Sequence, residues 1–211
     1  MTSPSLPPGG LYLLTPEEPD SGRLRARVEP LLAAGVALLQ LRCKNGDAAR
    51  RRAHALALQP ACAAAGVPLL INDDWRLAAE LGLGAHLGEH DGALREARAA
   101  LAPGAILGAS CYDELERARR ARDAGASYLA FGAFHASGTK PLARRAAPGL
   151  LAEARALALP VVAIGGINAD NGGALRAAGA DFLAVLGAVF DAPDPVAAVR
   201  AFLPLFETKA K

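Results

Sequence analysis

One repeated pattern constrains this chain more than any other: an alanine-rich stretch, a glycine or proline, then a short apolar run. The glycines fall at Gly35, Gly66, Gly84, Gly104, Gly125 and Gly179, each where a helix should stop and a strand begin. That is the position at which a left-handed residue is favoured. Pro160 serves the same end before Val161 by blocking further helix. The apolar runs predict strands at 11–15, 37–44, 67–73, 85–89, 105–110, 128–134, 161–165 and 182–186. Helices are expected near 21–34, 47–65, 74–81, 92–101, 113–124, 149–158, 170–178 and 195–206. Several runs are apolar at consecutive positions, as in strands covered on both faces. Eight strand–helix units in 211 residues predict an α/β fold, a single (β/α)8 TIM barrel. An open doubly wound sheet fits less well, because no GxGxxG opens the first helix.

Residues 1–10, MTSPSLPPGG, are expected to form a flexible leader, with the barrel running over 11–211. With 52% hydrophobic and 21% charged residues the chain can bury a full core. A net charge of +2 with no basic block gives no reason to expect a nucleic acid or membrane partner. Cys43, Cys62 and Cys111 show no CxxC and no ligand spacing, which suits a reducing compartment. The first residues lack the character of a signal peptide, and the longest apolar run, 182–190, is far too short to span a bilayer. These features predict a cytoplasmic protein. They set no oligomeric state, and a homo-oligomer is compatible with them.

In such a barrel the residues just after each strand gather at one rim, and that rim carries the chemistry. The stretch LLINDDWRLAAELGLGAHLGEHD places Asp73 and Asp91 at the ends of strands 3 and 4. Adjacent strands lie ~4.8 Å apart, so two such carboxylates could share one Mg²⁺, the rest of whose shell is left to water and phosphate. The competing reading is that both acids cap the following helices. Strand 2 ends in Gln40, Arg42 and Lys44 on one inward face. Inward cations need an anion, either a ligand or an internal salt bridge to Asp73 or Asp91. Ser110 after strand 5 is a helix cap or an anion donor. The stretch 132–141 after strand 6 gathers Ser137, Thr139 and Lys140 in a long loop, the composition of an anion-binding flap. Gly165-Gly166 after strand 7 and Leu186-Gly187 after strand 8 sit where this fold usually cradles phosphate. The inventory suits substrates bearing a diphosphate and a phosphate. Mg²⁺ would act as Lewis acid and template, with Arg42, Lys44 and Lys140 sharing the leaving group's charge.

The segments QLRCK (40–44), LLINDD (69–74), AHLGEHD (85–91), ILGAS (106–110), YLAFGAFHASGTKP (128–141), VVAIGGI (161–167) and FLAVLGAVF (182–190) together resemble the thiamine phosphate synthase family. The resemblance runs from about Leu11 to Phe206. It implies condensation of hydroxymethylpyrimidine diphosphate with thiazole phosphate, or its carboxylate, by a Mg²⁺-assisted dissociative substitution. It further implies that Gln40, Arg42, Lys44, Asn72, Ser110 and Lys140 hold the pyrimidine diphosphate and that Asp73 and Asp91 hold the metal. Ser137, Thr139, Gly166, Leu186 and Gly187 would hold the thiazole phosphate. The chain departs from the family's habit at Glu89 (usually Gln), Gly187 (commonly Ser), Ser137 (usually Thr) and at Ala133 and Ala136, where prolines are frequent.

Three other readings use the same residues. A related branch isomerises the thiazole phosphate carboxylate, with His135 as a candidate proton shuttle, but such relatives tend to lose the metal pair. A silent phosphate-binding module would not need the intact Gln/Arg/Lys set. A phosphosugar isomerase shares the fold but has no use for two acids beside three cations.

Overall fold

The computed structural model describes residues 5–89, 93–136 and 144–207. Side-chain parity organises it. Tyr12, Leu38, Leu70, Ile106, Tyr128 and Phe182, all even-numbered, belong to one buried cluster. Their odd-numbered neighbours Leu11, Leu39, Ile71, Leu107, Leu129 and Leu183 belong to a second. Alternate residues of a strand point to opposite faces, so the first cluster fills the barrel and the second lies beneath the helices. Both faces of every strand are thus covered, which is why the runs are apolar throughout.

The strands are β1 (Gly10–Leu14), β2 (Val36–Leu41), β3 (Leu69–Asn72), β4 (Gly84–Leu87), β5 (Leu107–Tyr112), β6 (Tyr128–Phe131), β7 (Val161–Ile164) and β8 (Phe182–Val185). They form a closed barrel in sequence order, and every pairing is parallel. Around it lie α1 (Ser21–Ala33), α2 (Ala48–Ala65), α3 (Trp75–Leu81), α4 (Leu94–Ala100), α5 (Leu115–Asp123), α6 (Gly149–Ala154), α7 (Ala169–Ala177), α8 (Gly187–Phe190) and α9 (Pro195–Phe202). The (β/α)8 expectation from sequence is met.

Local signals explain the boundaries. Asp20, Asp47, Asp74 and Asp194 each accept a backbone N–H at the start of their helix, and Asn168 forms a capping box with Asn171. Gly66 ends α2 in the left-handed region, as its position predicts. For α3 the sequence reading misplaces the stop: Gly82 closes the helix, whereas Gly84 opens β4. A Cβ on Gly84 would lie 2.7 Å from the Ile106 carbonyl oxygen, so that glycine answers to strand packing instead. The strand ends also run differently from expectation. β2 stops at Leu41, leaving Arg42 and Lys44 beyond it, and β5 continues to Tyr112, leaving Ser110 inside it. At the other end Leu6, ahead of β1, packs against the interior cluster.

Candidate active site at the carboxyl ends of the strands

β2 and β3 pair in the register Leu41↔Ile71, so the residues following each strand emerge side by side. Lys44 Nζ lies 3.2 Å from Asp73 Oδ2, with both side chains part-exposed. Asp73 is free to make this contact because its neighbour takes the structural duty. Asp74 caps α3, accepting the Leu77 N–H at 3.0 Å, and its other oxygen faces Arg51 at 3.6 Å. Asp73 itself turns the chain at φ 68°, a conformation that aspartate tolerates better than most residues. The capping reading of Asp73 is therefore wrong, and the internal salt bridge is right for Lys44.

Arg42 answers to a different acid. Its Nη1 donates to Glu17 Oε1 at 3.0 Å, and the same oxygen accepts the Lys44 backbone N–H at 3.0 Å. Thr15, fully buried, accepts the Arg42 N–H at 2.9 Å and donates to the Arg42 carbonyl at 3.2 Å. The loop between β1 and α1 thus clasps the segment that carries both cations. Its far end is held by His54, whose ring nitrogens sit 2.8 Å from Ser21 Oγ and 2.8 Å from the Glu18 carbonyl. The sequence reading gives neither Thr15, placed at the end of the first strand, nor Glu17 a role at the site. A threonine and an acid just past the first strand were the available signal.

Inside the barrel the inward positions near the mouth are polar. Gln40 Nε2 donates to Tyr12 Oη at 2.5 Å, and Tyr12 Oη lies 2.8 Å from Tyr128 Oη. Tyr128 Oη lies 2.7 Å from His86 Nδ1, and His86 Nε2 lies 2.9 Å from Ser110 Oγ. Burial pushes both phenols well above their ordinary range, so at neutral pH they are protonated. Ser110 therefore bonds to an imidazole. The cap position of α5 falls to Glu114, which makes no side-chain cap bond, so the helix-cap reading of Ser110 is wrong. Tyr12, His86 and Tyr128 escape the sequence reading, although strand parity aims them at the same space as Gln40 and Ser110. Asn72, the last residue of β3, pairs in register with His86.

On the opposite side β7 and β8 pair at Ile164↔Ala184, which sets Gly166 and Leu186 two residues past neighbouring positions. Gly165 and Gly166 have φ 103° and 62°. A Cβ on Gly166 would lie 2.8 Å from His135 C, and one on Gly165 would lie 2.6 Å from Ala133 Cα. The pair is glycine partly because the loop after β6 packs on it, with the His135 N–H donating to the Gly165 carbonyl at 2.9 Å. Leu186 precedes α8 and Gly187 is its first residue, so a short extra helix follows β8, a frequent part of a phosphate site in this fold. Glu89 is engaged by Arg117 at 2.6 Å, and its N–H donates to Tyr112 Oη at 3.3 Å.

Asp91, Ser137, Thr139 and Lys140 lie outside the described residues. Within them, Asp73 fits a role as metal ligand by donor type and by its release from capping. Among the described residues no cluster of three metal-binding side chains is present.

The geometry can be set beside known proteins. The model of the thiamine monophosphate synthase family matches residues 11–189. A thiamine-phosphate synthase of Thiobacillus denitrificans is 57% identical over 189 residues, covering 89% of this chain and 90% of that protein. One from Xanthomonas campestris is 55% identical over 194 residues, covering 92% and 93%. Among solved structures, the thiamine phosphate pyrophosphorylase from Pyrococcus furiosus superposes with a TM-score of 0.82 at 29% identity, covering 93% of this chain and 95% of that one. A 3-hexulose-6-phosphate synthase, at TM-score 0.70 and 16% identity, shares the fold alone. Sequence and fold agree over nearly the full length, and the chain belongs to the thiamine monophosphate synthase family.

Proposed function

We propose that this transferase forms thiamine phosphate from hydroxymethylpyrimidine diphosphate and thiazole phosphate, with the diphosphate leaving before the new bond is complete. The bond from the exocyclic carbon to the diphosphate oxygen breaks, the electron pair leaves with diphosphate, and the thiazole nitrogen supplies the pair for the new C–N bond. The observation that carries this reading is the division of labour between Asp73 and Asp74, which leaves one carboxylate beside Lys44 at the rim.

Lys44 and Arg42 are each paired with an acid, Asp73 and Glu17, which holds both cations at the rim. An incoming diphosphate offers more charge than either carboxylate, and charge-assisted bonds from both cations would stabilise it as it departs. Gln40, Asn72 and Ser110 would orient the pyrimidine from the barrel interior. Lys140 would join the cations, and Ser137, Thr139, Gly166, Leu186 and Gly187 would take the thiazole phosphate. Mg²⁺, held by Asp73 and Asp91, would supply Lewis-acid neutralisation of the diphosphate. Three free, buried cysteines support a cytoplasmic location, and among the described residues no helix is long and apolar enough to cross a membrane.

The test is direct: the purified chain, both substrates, with and without Mg²⁺. Thiamine phosphate and diphosphate should appear in equal amounts and only with the metal. No product at saturating Mg²⁺ would remove the reading.

A further inference from the structure

The loop between β1 and α1 reaches the cations of the rim through two residues that do different work. The pairing of β1 with β2 closes where the Thr15 N–H donates to the Gln40 carbonyl at 2.9 Å. Pro16 comes next and has no N–H to carry the ladder further. The Thr15 hydroxyl continues in its place, pinning the Arg42 main chain by both its N–H and its carbonyl. Glu17 then lies over the segment 42–45 and receives three donors. Its Oε1 accepts from Arg42 Nη1 at 3.0 Å and from the Lys44 N–H at 3.0 Å, while Oε2 accepts from the Asn45 N–H at 3.4 Å.

Two of those three donors are main chain, so the Glu17 carboxylate is anchored without help from the guanidinium. Arg42 is the more dependent partner. Its side chain is only 17% exposed, and among the described residues Glu17 is its one acid. That bond takes one of the five N–H donors of the fork, which leaves the others for a second anion. Any such anion shares Arg42 with a fixed negative charge. The same balance holds along the rim: Arg42 and Lys44 are answered by Glu17 and Asp73, and the four formal charges cancel. A site built only to hold diphosphate has no use for an anchored acid on its most buried cation. A site that must also let diphosphate go has one, because binding shared by ground and transition states lowers KM without raising kcat.

We propose that Glu17 is a positioning residue whose fixed charge limits how tightly Arg42 holds a diphosphate, so that the leaving group is released after turnover. The assignment of diphosphate to Arg42 rests on the proposed function; the anchoring of Glu17 on the main chain does not.

The test is Glu17→Gln in the full chain, since an amide oxygen can still accept from Arg42 and from the Lys44 N–H while the charge is gone. Titration calorimetry with inorganic diphosphate and Mg²⁺ reads the effect without turnover. The variant should bind diphosphate about three- to fivefold more tightly than the parent, and the gap should narrow as salt is raised. In turnover, KM for the pyrimidine diphosphate should fall, inhibition by added diphosphate should strengthen, and kcat should not rise. Equal or weaker diphosphate binding overturns the inference, and so does a gap that salt leaves unchanged. Glu17→Asp shortens the side chain but keeps the charge, and it should bind diphosphate no more tightly than the parent. A gain there would show that the shape of the loop, and not its charge, sets the affinity. The predicted gap with no product from the parent enzyme would overturn the proposed function and leave this inference standing. A parent that binds no diphosphate would overturn both.

Discussion

Gly108→Ala puts a single methyl group where the barrel interior has no space. A Cβ built on Gly108 falls against the Cζ–Oη edge of Tyr128, 2.6 Å from Cε1 and closer still to Cζ and Oη. Ordinary carbon contacts are about 3.5–4.0 Å, so the ring edge must move by about 1.5 Å or the strand must give way. Tyr128 is fully buried in a closed barrel, with neighbours on every side. Overpacking of this kind costs about 1–3 kcal/mol. The shift also breaks or stretches the bonds from Tyr128 to Tyr12 and His86, at about 1 kcal/mol each. The total comes to roughly 3–5 kcal/mol, and for a chain of this size that lowers Tm by roughly 10 °C. Thermal melts by circular dichroism or calorimetry measure it. A Tm within about 2 °C of the parent would refute the reasoning, since it would mean the ring relaxes without loss. A Tyr128→Leu change, which shortens the side chain, should make the double variant less unstable than the two single losses together.

The adjacent aspartates separate by assay. Asp74→Ala loses the α3 cap and should cost about 1 kcal/mol, seen as a lower melting point with unchanged Mg²⁺ dependence. Asp73→Asn keeps a residue suited to φ 68° but removes the charge, so melting should hold while turnover falls on the order of 100-fold; wild-type turnover would show that Asp73 holds no metal. Gly173→Ala sits within α7, with its nearest Cβ contact at an ordinary 3.7 Å from Leu205. It should stabilise by about 0.5–1 kcal/mol in denaturant melts, and a loss would show that the helix there is strained. Burial pushes the thiols of Cys62 and Cys111 from 9.0 up to about 12. The folded chain then keeps protons that the unfolded chain gives up, so stability should fall as pH rises from 9 toward 12. A flat stability profile across that window would contradict it.

Much of this was legible from sequence because barrel strands announce themselves as apolar runs between helix-stopping residues. Gln40 could be placed because strand parity decides which side chains face inward, whereas Ser110 was read from its strand end and Asn72 from the family resemblance. Parity could have found Tyr12, His86 and Tyr128 as well, but aromatic and imidazole residues within an apolar run look like core until their hydroxyls and nitrogens are seen to meet. The clasp of Thr15 and Glu17 on Arg42 depends on how a loop folds back across a neighbouring strand, and no periodicity encodes that. The Asp73-Asp74 pair was ambiguous for a similar reason: which acid caps α3 is set by one backbone turn at φ 68°.

The clasp at Thr15 and Glu17 also bears on where this barrel can be cut and rejoined. A closed ring of eight strands has no natural first strand, so new termini could in principle be opened between any two elements. The two ends of the barrel differ in what such an opening would release. A cut between β1 and α1 would free Glu17 and Thr15 from Arg42 and Lys44, and with them the orientation of both cations. A cut at Gly104, where an added Cβ would meet nothing within 4 Å, lies in a helix-to-strand connection away from the mouth. Circular permutants opened at the two places should therefore part company, the second keeping its charge arrangement and the first losing it while remaining a barrel.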